Sequence, residues 1–314
     1  MQNILKLSII SFASVFTSCA NDNNQNSANQ TESVDSEKIS IQHFYGTSEI
    51  NKNPKNIVAL DFAAVETLDE LGIEFKGMPK ANLPSHLQKF QNDKNIVDLG
   101  TLKEIDFEKL NELNPDLIFT SGRLQNDYSE MSKIAPAIYT EIDYTNYIHS
   151  LKSNLDIYAE IFDVEEKTDL AFEKIKDKIK DIRAKAEELD KRALIILHNN
   201  GRFSAYGKGS RFGMIHDVLG MKEAVENLEV ARHGQSVSNE FIQEANPDYI
   251  YIIDRSAVVD REMTNKSEIE NRLIQQTNAF KNGKIIYLDA EIWYLSGGGI
   301  TSINKMLDEI AESL

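Results

Sequence analysis

Residues 232–236 read Arg-His-Gly-Gln-Ser, an imidazole offered by a short polar loop beside a guanidinium. Three readings fit such a string. His233 is the phosphoryl acceptor of a histidine phosphatase, a loop imidazole presented to a metal, or part of a polar loop without chemistry. A phosphatase needs this string directly after a buried first strand, with most of the domain and a second histidine still to come. Here the preceding MKEAVENLEV is charged and helical in flavour, roughly 80 residues remain, and no histidine follows His233. The phosphatase reading fails. Arginine is scarce beside lysine, so the positions of Arg123, Arg211 and Arg255 are informative, because the planar guanidinium suits paired contacts to anions.

A repeat supplies the elements that position these groups. DFEKLNELNPDLIFTSGR (106–123) and SNEFIQEANPDYIYIIDR (238–255) align without a gap. They share Glu108/Glu240, Asn114/Asn246, Pro115/Pro247, Asp116/Asp248 and Arg123/Arg255. Each unit reads as a short helix stopped by proline, an Asn-Pro-Asp turn, a buried strand, and an arginine at the strand's carboxyl end. Two such units imply two halves built alike. The carboxyl edge of an open α/β sheet is where ligands bind, and His233 and its counterpart Thr101 fall in loops at that edge. Arg211 sits in the glycine-bearing loop YGKGSRFGMIHDVLG at a helix start, which favours anions. Three arginines converging there would serve a compact, highly charged anion.

The rest of the chain alternates strand and helix. KNIVALDF is a strand, followed by a helix ending at Gly72; RALIILHNN, DYIYIID and KIIYLDA are strands of the second half. The fold class expected is α/β, two Rossmann-like lobes with parallel sheets joined by one long rigid α-helix. That helix is EEKTDLAFEKIKDKIKDIRAKAEELDKR, where Phe172, Ile175, Ile179, Ile182, Ala186 and Leu189 form one stripe. At 1.5 Å per residue its ~25 residues span about 37 Å and resist hinge bending. The N-terminus reads as an export signal whose apolar run is too short to span a bilayer. It ends at Cys19, the only cysteine, in a lipobox-like setting in which Phe16 replaces the usual leucine. The expected boundaries are a signal over 1–19, a disordered tether over 20–38, a first lobe over 39–163, the linking helix over 164–191 and a second lobe over 192–314.

The 314 residues, 41% of them apolar, suffice for one large core or two ordinary ones, and the net charge of −16 argues against nucleic acid or an anionic membrane as partner. No nucleophile elbow, phosphate loop or paired metal motif occurs, so the chain reads as a binding protein and not an enzyme. The six histidines are scattered, without the close set a zinc or manganese site requires.

Taken in order, IVALDFAAVETLDELGI, GMPKANLPSHLQKF, NPDLIFTSGR, GKGSRFG, HGQSVSNEFI, NPDYIYIIDR and WYLSGGG resemble the class III substrate-binding proteins of bacterial ABC importers, in particular the ferric catecholate-siderophore binders of the enterobactin/petrobactin type. The resemblance covers about 40–314. It implies an exported, lipid-anchored monomer in the periplasm or cell envelope that delivers a ferric siderophore to an inner-membrane ABC permease. No permanent cofactor is implied; Fe(III) arrives inside the chelate. Arg123, Arg211 and Arg255 match the family's arginine triad around catecholate oxygens. His233 and Tyr294 match side chains that ligate iron in part of the family, filling the positions a chelator with two catecholate arms leaves open. Glu108 and Glu240 match the pair that docks on the permease. A haem, cobalamin or zinc/manganese binder of the same architecture is the alternative.

Overall fold

In a computed structural model, residues 37–231, 233–259, 261 and 265–314 are described. The signal-like segment, Cys19 and nearly all of the expected tether lie outside them. The described residues open with an antiparallel hairpin, β1 (Lys38–His43) and β2 (Gly46–Asn51). Next come β3 (Ile57–Ala59), helix α1 (Phe62–Leu71), β4 (Gly77–Met78), β5 (Val97–Asp98), α2 (Phe107–Leu113), β6 (Leu117–Thr120), α3 (Tyr128–Ile134) and β7 (Ala137–Tyr139). These strands form a five-stranded sheet, ordered β5-β4-β3-β6-β7, with every pairing parallel. Strand β3 and strand β6 are buried along their whole length, as expected of a sheet covered on both faces.

Two helices, α4 (Tyr147–Phe162) and α5 (Glu165–Leu189), lead into the second half. Its strands are β8 (Arg192–Asn199), β9 (Arg202–Tyr206), β10 (Lys222–Glu223), β11 (Gln235–Val237), β12 (Tyr249–Asp254) and β13 (Ile285–Leu288). Their order is β11-β9-β8-β12-β13, with β10 pairing the start of β8. The α/β arrangement is as expected, with one refinement: this second sheet is mixed. Strand β9 turns back antiparallel to β8 through Asn200 and Gly201, both at positive φ (48° and 75°). An Asn-Gly pair in that conformation makes the two-residue hairpin turn whose twist matches the flanking strands. A crossover helix therefore never forms between them.

The repeat has a physical basis in both halves. Asn114 and Asn246 end their helices in the left-handed conformation, φ 46° and 40°. The carboxylate of Asp116 then accepts from the backbone N–H groups of Lys55 and Asn56, and that of Asp248 from Arg192 N–H. The motif thus stops a helix and clips the next strand to its neighbour. Proline alone, as read from the sequence, accounts for only part of the stop.

The 25 residues of α5 bury Phe172, Ile175, Ile182 and Ala186 of the expected stripe against one hydrophobic core that runs from Ile57 and Phe119 through Tyr251 to Met306. The closing helix, Ile300–Ser313, packs on α1 and α5 as well as on its own half. Its first turn is pinned by a buried carboxylate: Ser302 donates its N–H (2.9 Å) and its hydroxyl to Glu66 Oε1, and His86 Nε2 lies 2.6 Å from Glu66 Oε2. Glu66 is only 1% exposed, so its oxygens are satisfied by these partners and not by water. Glu66→Ala leaves them without their common acceptor inside the protein, and a loss of about 3 kcal/mol is expected in urea unfolding. A change within experimental error would show that the contact is incidental.

Candidate functional site

The carboxyl ends of β6 and β7, the loop over 207–213, Val230, Ala231 and His233 before β11, and the turn Glu291–Ser296 meet around a cleft of about 500 Å³, within the range of small-ligand sites. Strand β6 delivers Ser121, Gly122 and Arg123; strand β7 delivers Thr140, Glu141 and Ile142. The loop after β9 brings Arg211, and the segment before β11 brings Val230, Ala231 and His233. Gly234 holds that segment against β9 at φ 69°, where a Cβ would stand 2.8 Å from the Tyr206 ring and from the Ala205 carbonyl. No side chain fits there.

Tyr294 is the hub. Arg123 and Arg211 each donate a guanidinium N–H to its backbone carbonyl, and Arg255 donates Nε–H to its hydroxyl at 3.0 Å. The three guanidinium carbons lie 5.3, 4.6 and 5.8 Å from the centre of its ring, within cation–π range. The backbone allows this because Tyr294 stands in the last turn of the π-helical segment Glu291–Ser296, which Gly297 ends at φ 55°. The N–H of Gly298, which an α-helix would direct to the Tyr294 carbonyl, donates instead to Ser302 Oγ.

Electrostatics separate the cleft's two phenols. Burial by itself pushes Tyr294 up, but the hydrogen bond from Arg255 and the charges of Arg255, Arg211 and Arg123 outweigh it and set its pKa below the ordinary value of 10.0. Burial raises Tyr144, with Arg211 opposing it. The surroundings thus favour ionisation of Tyr294 and oppose that of Tyr144. Burial and then the neighbouring Arg211 charge lower Arg123, so the cationic cluster repels itself until an anion arrives.

Of the residues singled out from the sequence, Arg123, Arg211, His233 and Tyr294 line the one cleft. Arg255 does not; it braces Tyr294 from outside the lining, its Nη1 held at 2.6 Å by Asn199 at the end of β8. Glu108 and Glu240 are exposed in the first turns of α2 and of the helix Asn239–Ala245, away from the cleft lining. Trp293 is buried, donating to Glu309 Oε2 at 2.6 Å, and belongs to the core. In the loop matching that of His233, Lys103 and not Thr101 reaches the cleft, because the Thr101 hydroxyl accepts from the N–H groups of Lys103 and Glu104. Asp61, Glu141 and Tyr144 are further lining residues that the sequence did not reveal. Asp61, which the sequence placed in the strand KNIVALDF, caps α1: one oxygen accepts from Ala63 N–H and the other from the Ser121 hydroxyl, while burial raises its pKa. Among the described residues no group of three or more His, Cys, Asp or Glu gathers to hold a metal ion, and no helix is long and apolar enough to cross a membrane.

Two α/β halves spanned by a single long helix, with a cation-lined cleft at their strand ends, define a cleft-type ligand-binding protein. The chain belongs to the periplasmic binding protein family, whose model matches residues 57–292. It is 42% identical over 306 residues to the petrobactin-binding protein YclQ of Bacillus subtilis, covering 96% of this chain and 95% of that protein. The crystal structure of YclQ superposes with a TM-score of 0.86 at 43% identity, covering 88% of this chain and 98% of that one. The ferric-anguibactin-binding protein FatB of Vibrio anguillarum is 37% identical over 87% of this chain and 86% of its own length. The structure of BauB bound to a complex of two acinetobactin molecules and ferric iron matches with a TM-score of 0.81 at 35% identity, covering 88% of this chain and 98% of that one.

The lowered Tyr294 gives a direct test. Followed by ultraviolet tyrosinate absorbance, one tyrosine ionises below the ordinary pH of about 10. Tyr294→Phe removes that step and Arg255→Gln moves it to higher pH. A first step that survives Tyr294→Phe would assign it to another phenol.

Proposed function

We propose that this protein is an exported monomer, lipid-anchored through Cys19 at the cell envelope, that captures a ferric catecholate siderophore and hands it to an ABC permease. Iron is cargo inside the chelate, and no resident cofactor takes part. The observation that carries the reading is the convergence of three guanidinium groups on Tyr294 at one cleft. A bare divalent cation would be repelled by such a cluster, whereas the bound oxygens of a catecholate chelate carry the negative charge it needs. The names of the relatives support an iron chelate over haem, cobalamin, zinc or manganese: petrobactin for YclQ and ferric anguibactin for FatB. They also support a binding protein over an enzyme.

In this reading Arg123 and Arg211 engage the catecholate oxygens with N–H donors beyond those on the Tyr294 carbonyl. Arg255, anchored on Asn199, supports the phenolate instead of touching the chelate. Tyr294 Oη and a ring nitrogen of His233 fill iron positions that a chelator with two catecholate arms leaves open. Glu108 and Glu240, one on each repeat unit, dock on the two similar subunits of the permease.

Trp293, the only tryptophan, adjoins Tyr294 in the chain and reports on the cleft. Saturable quenching of its fluorescence is expected with ferric bis- and tris-catecholates, and none with zinc or haem. The reverse pattern would overturn the reading. A second measurement addresses iron ligation alone: His233→Ala and Tyr294→Phe should each shift the visible charge-transfer band of a bound ferric bis-catecholate while leaving that of a hexadentate tris-catecholate nearly unchanged. Bands unmoved with both chelates would show that neither side chain reaches the metal.

A further inference from the structure

Arg123 and Arg255 hold equivalent places in the repeat, yet only Arg123 lines the cleft. The residue before each differs: Gly122 in the first unit, Asp254 in the second. Asp254 ends β12 and is in register with His198 near the end of β8. His198 Nδ1 lies 3.0 Å from Asp254 Oδ1, and the imidazole is buried. On the other side of the ring, Gly201 donates its N–H to Nε2 at 2.9 Å. A backbone N–H can only donate, so Nε2 is bare and Nδ1 carries the proton that Asp254 accepts. The two contacts fix one tautomer of the ring.

Two further rungs follow in order. Asn199 Oδ1 accepts from Arg255 Nη1 at 2.6 Å. Asn200 donates its N–H to Ser256 Oγ at 2.9 Å, and the Ser256 hydroxyl donates back to Asn200 Oδ1 at 3.0 Å. Residues 198, 199 and 200 are thus tied one by one to 254, 255 and 256. The middle rung is the one that reaches the cleft, because the same guanidinium donates Nε–H to the Tyr294 hydroxyl. Asparagine has a short side chain, so Asn199 can hold Arg255 only while the turn stays in place. Gly201, at φ 75°, has no side chain with which to fasten that turn, and its N–H on His198 is one of the fastenings it does have.

We propose that His198 is a positioning residue for the ligand site: held between Asp254 and Gly201, it fixes the Asn200-Gly201 turn so that Asn199 keeps Arg255 on the Tyr294 hydroxyl. His198 is outside the cleft lining and acts through these residues. The role rests on the proposed function for what Tyr294 binds, and it assigns a cause to the different course of the two repeat arginines. Groups that orient the partners of a metal ligand matter nearly as much as the ligand itself.

Two amide substitutions separate the two contacts of the ring. In His198→Asn the amide nitrogen stands near the place of Nδ1 and serves Asp254, but nothing reaches Gly201. In His198→Gln the amide oxygen stands near the place of Nε2 and accepts from Gly201. Affinity for a ferric bis-catecholate, read by Trp293 quenching, should fall about tenfold in His198→Asn and stay within about threefold of the wild type in His198→Gln. Arg255→Gln should itself cost about tenfold, and adding His198→Asn to it no more than about twofold further, because both act through one guanidinium. Equal losses in the two His198 variants, or losses that multiply in the double variant, overturn the proposal. Nitrogen NMR of the wild-type imidazole needs neither ligand nor variant: a proton on Nδ1 and none on Nε2 is expected, and a protonated Nε2 overturns the proposal while leaving the proposed function intact. Failure of the wild type to bind the chelate removes the proposed function and, with it, any role of His198 at the cleft, whatever the tautomer.

Discussion

Three guanidinium groups crowded round one tyrosine repel one another, and the fold holds them there regardless. Each is fixed by an uncharged acceptor: the Tyr294 carbonyl for Arg123 and Arg211, and the Tyr294 hydroxyl with Asn199 for Arg255. None of these acceptors cancels a charge; Asp61 offsets part of that of Arg123, and Lys103, Arg123 and Arg211 still gather at one cleft of a chain whose net charge is −16. Partial burial makes that local field stronger than the same charges would give in water. The residual positive potential is what an anionic chelate would relieve on entering. The hydrogen bond from Arg255 and the same field together lower the Tyr294 phenol against the effect of burial.

Holding like charges together requires a frame that does not yield. The helix α5 supplies part of it, with Phe172, Ile175 and Ile182 sunk into a core shared by both halves. The Glu66 carboxylate supplies another part by tying the start of the closing helix to α1. The Asn-Pro-Asp turns supply the third, because each clips the beginning of one strand to its neighbour and so fixes where the far end, with its arginine, emerges.

Much of this was legible in the sequence, for reasons that can be named. The stripe on α5 and the repeat unit are periodic, local patterns, and local patterns survive folding. Arg123 and Arg255 were found because the repeat puts an arginine at the end of each unit, but the repeat could not tell that their roles differ. Arg123 opens into the cleft while Arg255 is drawn behind Tyr294 by Asn199, a contact between β12 and β8 invisible to any spacing rule. Glu141 and Tyr144 went unnoticed because nothing in TEIDYTNY distinguishes a cleft wall from a surface loop. The turn back of β9 was announced by Asn200-Gly201, yet the apolar run before it reads equally as a buried parallel strand.

The π-helical turn at Glu291–Ser296 has an evolutionary corollary. Gly297, left-handed at φ 55°, ends it, so the Tyr294 carbonyl in its last turn has no donor from a helix ladder. Losing a single codon here would swing the phenol about 100° round the helix axis, away from the arginines. Insertions and deletions in this segment are therefore all-or-nothing events. Descendants of this chain can change their preferred cargo by exchanging side chains around the hub, but cannot shift the hub itself by small steps.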